Sequence, residues 1–216
     1  MPRLQRRYAR EGTSLGYERV AFFTDAVFAI ALTLIVVGIG VPAIEHAGDA
    51  GDLWSALHGQ FAEFASFFVG VLLIGRYWTA NHATFEQLGA VDPPYARWNV
   101  IYVGFVAFLP YPIRLIGTYF SNPLSLALLA LNLAAVSSME ALLFAHAWRA
   151  DLLIDKPSTA GYRWILLMSL LPVPVFLLSI PVAFATSTGV ALACWLVAPA
   201  LQTVAIRRRP VDVADF

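Results

Sequence analysis

The sequence predicts an all-α fold: a polytopic membrane protein with six transmembrane helices, forming a single domain over residues 1–216. Three observations predict it. The 216 residues are 59% hydrophobic and only 13% charged, with a mean hydropathy of +0.70, far more apolar than an average soluble domain. Six apolar runs follow one another through short polar connections, each near the length of about 20 residues that a helix needs to cross a bilayer. Alternate connections also differ in charge. Arg3, Arg6, Arg7, Arg10, Arg19, Arg76, Arg97, Arg149, Lys156, Arg163, Arg207, Arg208 and Arg209 fall on one side, thirteen of the fourteen basic residues, and Arg114 falls opposite. By the positive-inside rule both termini are cytosolic.

The elements follow in order. The N-terminal segment MPRLQRRYAREGTSLGYER is polar and basic, and the first apolar run has no small-residue cleavage site, so it reads as a retained helix. That span covers residues 20–41. After a short acidic loop, the second runs over 54–78, with Trp54 and Trp78 at its two ends, where indoles suit the membrane interfaces. Pro93-Pro94 marks a turn. The third span, 98–116, meets Pro110 and Pro112, which bend or end a helix because proline lacks an N–H and clashes with the preceding turn. Pro123 opens the fourth, 123–148. The fifth covers 164–184 and the sixth 188–206, ending in Arg207-Arg208-Arg209.

Some function classes fall away. A net charge of zero argues against a nucleic-acid partner. Cys194 is the only cysteine, which rules out an intrachain disulfide or a Cys-based metal motif. No nucleotide-binding glycine loop, paired-histidine zinc motif or nucleophile elbow is present, so the chain reads as a non-enzyme without cofactors.

The first span carries one charge, Asp25. A carboxylate in such a helix is costly and is a functional-site hypothesis by default. Ile30, Thr33, Leu34, Val37 and Val41 recur at steps of three and four and share a stripe. Asp25 lies about 140° from Ile30 at 100° per residue. The stripe faces lipid, neighbouring helices or an axis of symmetry; phase alone does not choose. A guanidinium at Arg19 hydrogen-bonded to Asp25 would offset the desolvation of both. Trp78 and His82, four apart on one helix face, would bring an indole donor and an imidazole to the same cluster. Glu140 in the fourth span either relays protons or is simply hydrated near the inner end.

Arg19, then Phe23-Thr24-Asp25, then AVFAIALTLIVVGIGVP, resembles the opening helix of the transmembrane protein 175 family, whose motif is Arg-x-x-x-Phe-Ser-Asp. Thr24 stands for the usual serine and keeps the hydroxyl. The similarity continues through Ser66-Phe67, Trp78, His82, Asn99 and Leu109-Pro110, over residues 17–112. It implies a potassium channel of the single-repeat prokaryotic type, a homotetramer with four first helices around a passive pore. It places the hydrophobic constriction at Ile30, a hydroxyl layer at Thr33 and further apolar layers at Leu34 and Val37. Potassium would bind only transiently, near Thr33. Arg19, Phe23, Thr24, Asp25, Trp78, His82 and Asn99 would form the network that positions the pore helix. The expected partners are other copies of the chain, membrane lipid, and potassium with other monovalent cations. The expected location is a prokaryotic plasma membrane. A proton-coupled small transporter using Asp25 and Glu140 is the alternative.

Overall fold

A computed structural model describes residues 8–9, 15–207, 209–210 and 213. Ten helices and two short strands lie among these residues: β1 (Tyr8–Ala9), α1 (Leu15–Val37), α2 (Ala50–Gly59), α3 (Phe61–Gln87), β2 (Ala90–Val91), α4 (Pro93–Phe108), α5 (Pro110–Thr118), α6 (Pro123–Arg149), α7 (Thr159–Leu170), α8 (Pro172–Ala185), α9 (Thr188–Cys194) and α10 (Val197–Ile206). Six rods long and apolar enough to cross a membrane result: α1, α3, α4–α5, α6, α7–α8 and α9–α10. Of the basic cluster, Arg3, Arg6, Arg7, Arg10 and Arg208 lie outside the described residues.

The helices depart from the apolar runs at both ends. At the basic end they overrun them: α1 begins at Leu15 and not at 20, α3 continues to Gln87 beyond 78, α4 begins at Pro93 before 98, and α7 at Thr159 before 164. At the opposite end the first two rods fall short, whereas α5 ends at Thr118 and α8 at Ala185, just past 116 and 184. α1 stops at Val37 and not at 41, where Gly38, Gly40 and Pro42 cluster, and Trp54 sits in the separate helix α2, so the second rod opens only at Phe61. The reason is physical: hydropathy marks where lipid is the solvent, while backbone hydrogen bonding continues for as long as the residues allow it. The 27 residues of α3 extend about 40 Å at 1.5 Å each, longer than a hydrocarbon core of about 30 Å.

Prolines divide the rods where the sequence places them. Pro110 and Pro112 separate α4 from α5, and Pro172 opens α8. Side-chain caps start several helices: Asp49, Asp92, Asn122, Ser158 and Ser187 each accept from a first-turn N–H. Ser187 thus belongs to a helix start, in the turn that joins α8 to α9.

The long α6 is the central post, packed by α4, α5, α7 and α8. Its Leu126, Ala130, Leu133 and Val136 are fully buried. Between helices in lipid the hydrophobic effect contributes little, and close packing and hydrogen bonds hold the bundle. Tyr77 Oη meets Ser137 Oγ at 2.7 Å, joining α3 to α6, Tyr17 Oη donates to the Phe85 carbonyl at 2.6 Å, joining α1 to α3, and Asn132 Nδ2 donates to the Phe105 carbonyl at 3.2 Å, joining α6 to α4. At the basic end β1 pairs antiparallel with β2, Tyr8 opposite Val91. The same turn is tied to the α6–α7 loop by the N–H of Gly89 donating to the Leu152 carbonyl and that of Ile154 to the Gln87 carbonyl, both 2.8 Å.

Candidate permeation face and its anchor

α1 has two unlike faces. Thr24, Phe28, Ala31 and Ile35, at steps of four, three and four, are 0–4% exposed and pack into the bundle. Phe28 meets Tyr102 of α4 with ring centroids 6.1 Å apart. On the other side Phe23, Ile30, Leu34 and Val37 are 49, 57, 48 and 74% exposed. Thr33 is exposed beside them. Its hydroxyl donates to the Ile30 carbonyl at 2.8 Å, so the proton is turned onto the helix and the oxygen lone pairs remain free to accept or to meet a cation. An apolar stripe with one band of hydroxyl oxygen therefore runs uncovered along the first helix.

α1 is anchored by two hydrogen bonds from other helices, one on its buried face and one at the exposed Asp25. Asn99 Nδ2 of α4 donates to Thr24 Oγ1 at 2.7 Å, deep in the bundle, while Thr24 itself donates to the Val20 carbonyl at 2.9 Å. Trp78 Nε1 of α3 donates to Asp25 Oδ1 at 3.0 Å. His82, on α3 and not in a loop, stacks on Trp78 with centroids 5.3 Å apart and lies 3.6 Å from Glu86. It braces the indole and forms no bond to Asp25 among the described contacts.

The expected Arg19–Asp25 pair is not formed. Arg19 is exposed and makes no ion pair among the described residues. Six residues of helix separate the two by about 120°, so Arg19 projects on the side of Phe23 and Ile30, and Asp25 toward α3. The carboxylate is partnered by an indole instead. Glu140 is half-buried on α6, remote in sequence from the α1 anchor, and forms no ion pair among the described residues.

Sequence reasoning missed several polar groups. Asp92, 1% exposed, caps α4 through the Tyr95 N–H at 2.8 Å and holds His146 Nε2 of α6 at 3.0 Å from both its oxygens. The signal was present in Asp92-Pro93-Pro94, which has an N-cap residue followed by proline at the first helical positions. Asn81 lines a hollow of about 230 Å³ with Asp25, His82 and Glu86. No group of three or more His, Cys, Asp or Glu side chains suited to a metal occurs among the described residues.

The family profile described as endosomal/lysosomal potassium channel TMEM175 matches residues 19–110, the stretch that carries this face and its anchor. A potassium channel of Streptomyces collinus is 31% identical over 153 residues, 67% of this chain and 73% of that protein. The chain belongs to the TMEM175 family. A second relative, a potassium channel of Chamaesiphon minutus, is 30% identical over 64% of this chain and 69% of its own length. The fold agrees with the crystal structure of a TMEM175 homolog from Chamaesiphon minutus, described as a lysosomal potassium-selective channel, at a TM-score of 0.72, 21% identity, 88% of this chain and 97% of that one. The endosomal/lysosomal proton channel TMEM175 of Bos taurus matches less far, 28% identical over half of this chain and 24% of that protein.

Proposed function

We infer that the chain is a passive, potassium-preferring cation channel that works as a homotetramer, with four copies of α1 around the pore. The observation that carries this reading is the uncovered apolar face of α1, whose backing residues are locked into the bundle while Ile30, Leu34 and Val37 face outward. One chain has too few helices to enclose a path along that face, and cyclic assembly is the ordinary way to close one. Ile30 then forms the constriction, Leu34 and Val37 the following apolar layers, and Thr33 supplies oxygen to a partly dehydrated ion. Thr24, Asp25, Trp78, His82 and Asn99 set the position of the pore helix, while Arg19 and Phe23 of the motif lie on its exposed side. No cofactor has a role; potassium is cargo. The potassium-channel names of the bacterial relatives favour a channel over a proton-coupled transporter. The basic end faces the cytosol of a prokaryotic cell, with the channel in its plasma membrane.

Ion flux from liposomes containing the purified chain tests this reading. Potassium flux exceeding sodium flux, with the ratio reduced by Ile30→Asn, is the expected result. Flux that saturates with a substrate and requires a proton gradient would replace the channel with a transporter, and proton current without potassium current would reassign the permeant ion.

A further inference from the structure

The main packing partners of α3 are α1 and α5, and a further face of α3 borders a cleft. Ala62, Ala65, Ser66 and Val69 line one hollow, of about 330 Å³, shared with α5 and α9. Leu73, Arg76 and Tyr77 line a second, of about 190 Å³, shared with α8 and α10. These α3 positions recur at steps of three and four, so both hollows lie along a single stripe. Trp195 is a wall of both. It is fixed there, its Nε1 donating to Ser179 Oγ at 2.9 Å and its ring edge-on to Phe176 at 5.0 Å.

Taken end to end along α3, the two hollows have the length and chemistry of a lipid groove. Ala62 to Arg76 spans about 21 Å of helix, more than the roughly 15 Å that half of a hydrocarbon core supplies. Apart from the ends their walls are almost wholly apolar, so water has no partners there, and acyl chains are what the surrounding solvent offers. The two ends differ. Charged residues are absent from the lining of the first hollow, while the second terminates at Arg76, toward the basic end. Arg76 is exposed, lies 5.6 Å from the Tyr77 ring centroid and makes no ion pair within 4.0 Å among the described residues. Glu140 on α6 is within its electrostatic reach but forms no such pair. Gln202 Nε2 on α10 spends one of its two N–H groups on the Met168 carbonyl at 3.0 Å, so Arg76 is the charged donor at this rim. A guanidinium presents a planar fork that matches a phosphate bidentately.

We propose that the cleft between α3 and α8–α10 is a binding site for an anionic phospholipid, its acyl chain along α3 and its phosphate on Arg76. Native mass spectrometry of the full chain in mild detergent, with phosphatidylglycerol or phosphatidylcholine of identical tails added, tests it. The wild type retains phosphatidylglycerol about five-fold better than phosphatidylcholine, the scale of one basic side chain at an anionic surface. Arg76→Gln removes the preference, Arg76→Lys restores part of it, and Ala198→Phe, which fills the hollow, lowers retention of both lipids. Arg76 is at the surface, so its variants fold even if Ala198→Phe does not. Equal retention of the two lipids by the wild type, or an unchanged preference in Arg76→Gln, overturns the proposal. Cross-linking between copies through Leu73→Cys, in a Cys194→Ser background, would place a second chain in the cleft and also overturn it. None of these readouts needs ion flux, so their failure leaves the channel reading standing.

Discussion

At the scale of the residue, the junction of Thr24 with Asn99 sets where the pore helix sits. The Thr24 hydroxyl donates along its own helix and accepts from Asn99. Asn99 is 1% exposed, and its Oδ1 already lacks a partner. Thr24→Ala would leave the Asn99 amide bare as well, and a loss of about 1–3 kcal/mol is expected for a stranded buried polar group. Thr24→Ser keeps the hydroxyl and gives up only a buried methyl, for a smaller loss of about 0.8 kcal/mol. Melting in detergent, followed by circular dichroism, separates the two; equal loss in both variants would show that the methyl and not the hydroxyl matters. The motif residues were legible because their spacing is local and their chemistry specific. The Arg19–Asp25 pairing was misread although helical phase held the answer: a separation of about 120° on a single helix keeps the two side chains apart. The Trp78 donor was legible as a candidate, and the choice of its partner over Arg19 depended on where α3 crosses α1.

Elements cross where side chains permit it. Gly70 of α3 lies under α5 and α1: a Cβ there would stand 2.9 Å from Ile113 Cγ2 and 3.1 Å from Ile35 Cδ1. Gly70→Leu should therefore force α3 away from both helices at a cost of about 1–3 kcal/mol or more from overpacking, read as a lower melting temperature. The same substitution at Gly75, which has open space around it, is the control and should be tolerated; equal damage at both sites would refute a packing origin. The other tie is Asp92, which caps α4 and holds His146. Asp92→Ala removes both roles, and an expected loss of about 1–2 kcal/mol follows from the cap alone. An unchanged melt would mean that neither contact holds α4 to α6. Helix count and proline breaks were legible, since hydropathy and backbone chemistry write them into short windows. The two-residue strands β1 and β2 carry no periodicity to read, and His146 reaches its partner 54 residues away, which no local pattern reports. The overrun of the helices at the basic end escaped because hydropathy records the lipid boundary and not the last hydrogen-bonded turn.

Across the whole molecule, the division of labour between the two faces of α1 turns a six-rod bundle into a candidate pore subunit. α6 is the central post, and the first helix is held from one side only, with Thr24, Phe28, Ala31 and Ile35 buried and Ile30, Leu34 and Val37 exposed. That asymmetry was half legible: the stripe through Ile30 could be drawn from the sequence, but whether the bundle covered it required knowing that Phe28, Ala31 and Ile35 take the core positions. The most direct test of the central claim is modification of single cysteines on α1 during potassium flux. With Cys194→Ser as background, Ile30→Cys, Leu34→Cys and Val37→Cys should each make the flux sensitive to a small charged thiol reagent, while Ala31→Cys and Ile35→Cys on the buried face should not. Flux that persists unaltered after all three stripe positions are shown to have reacted would contradict a pore lined by the first helix.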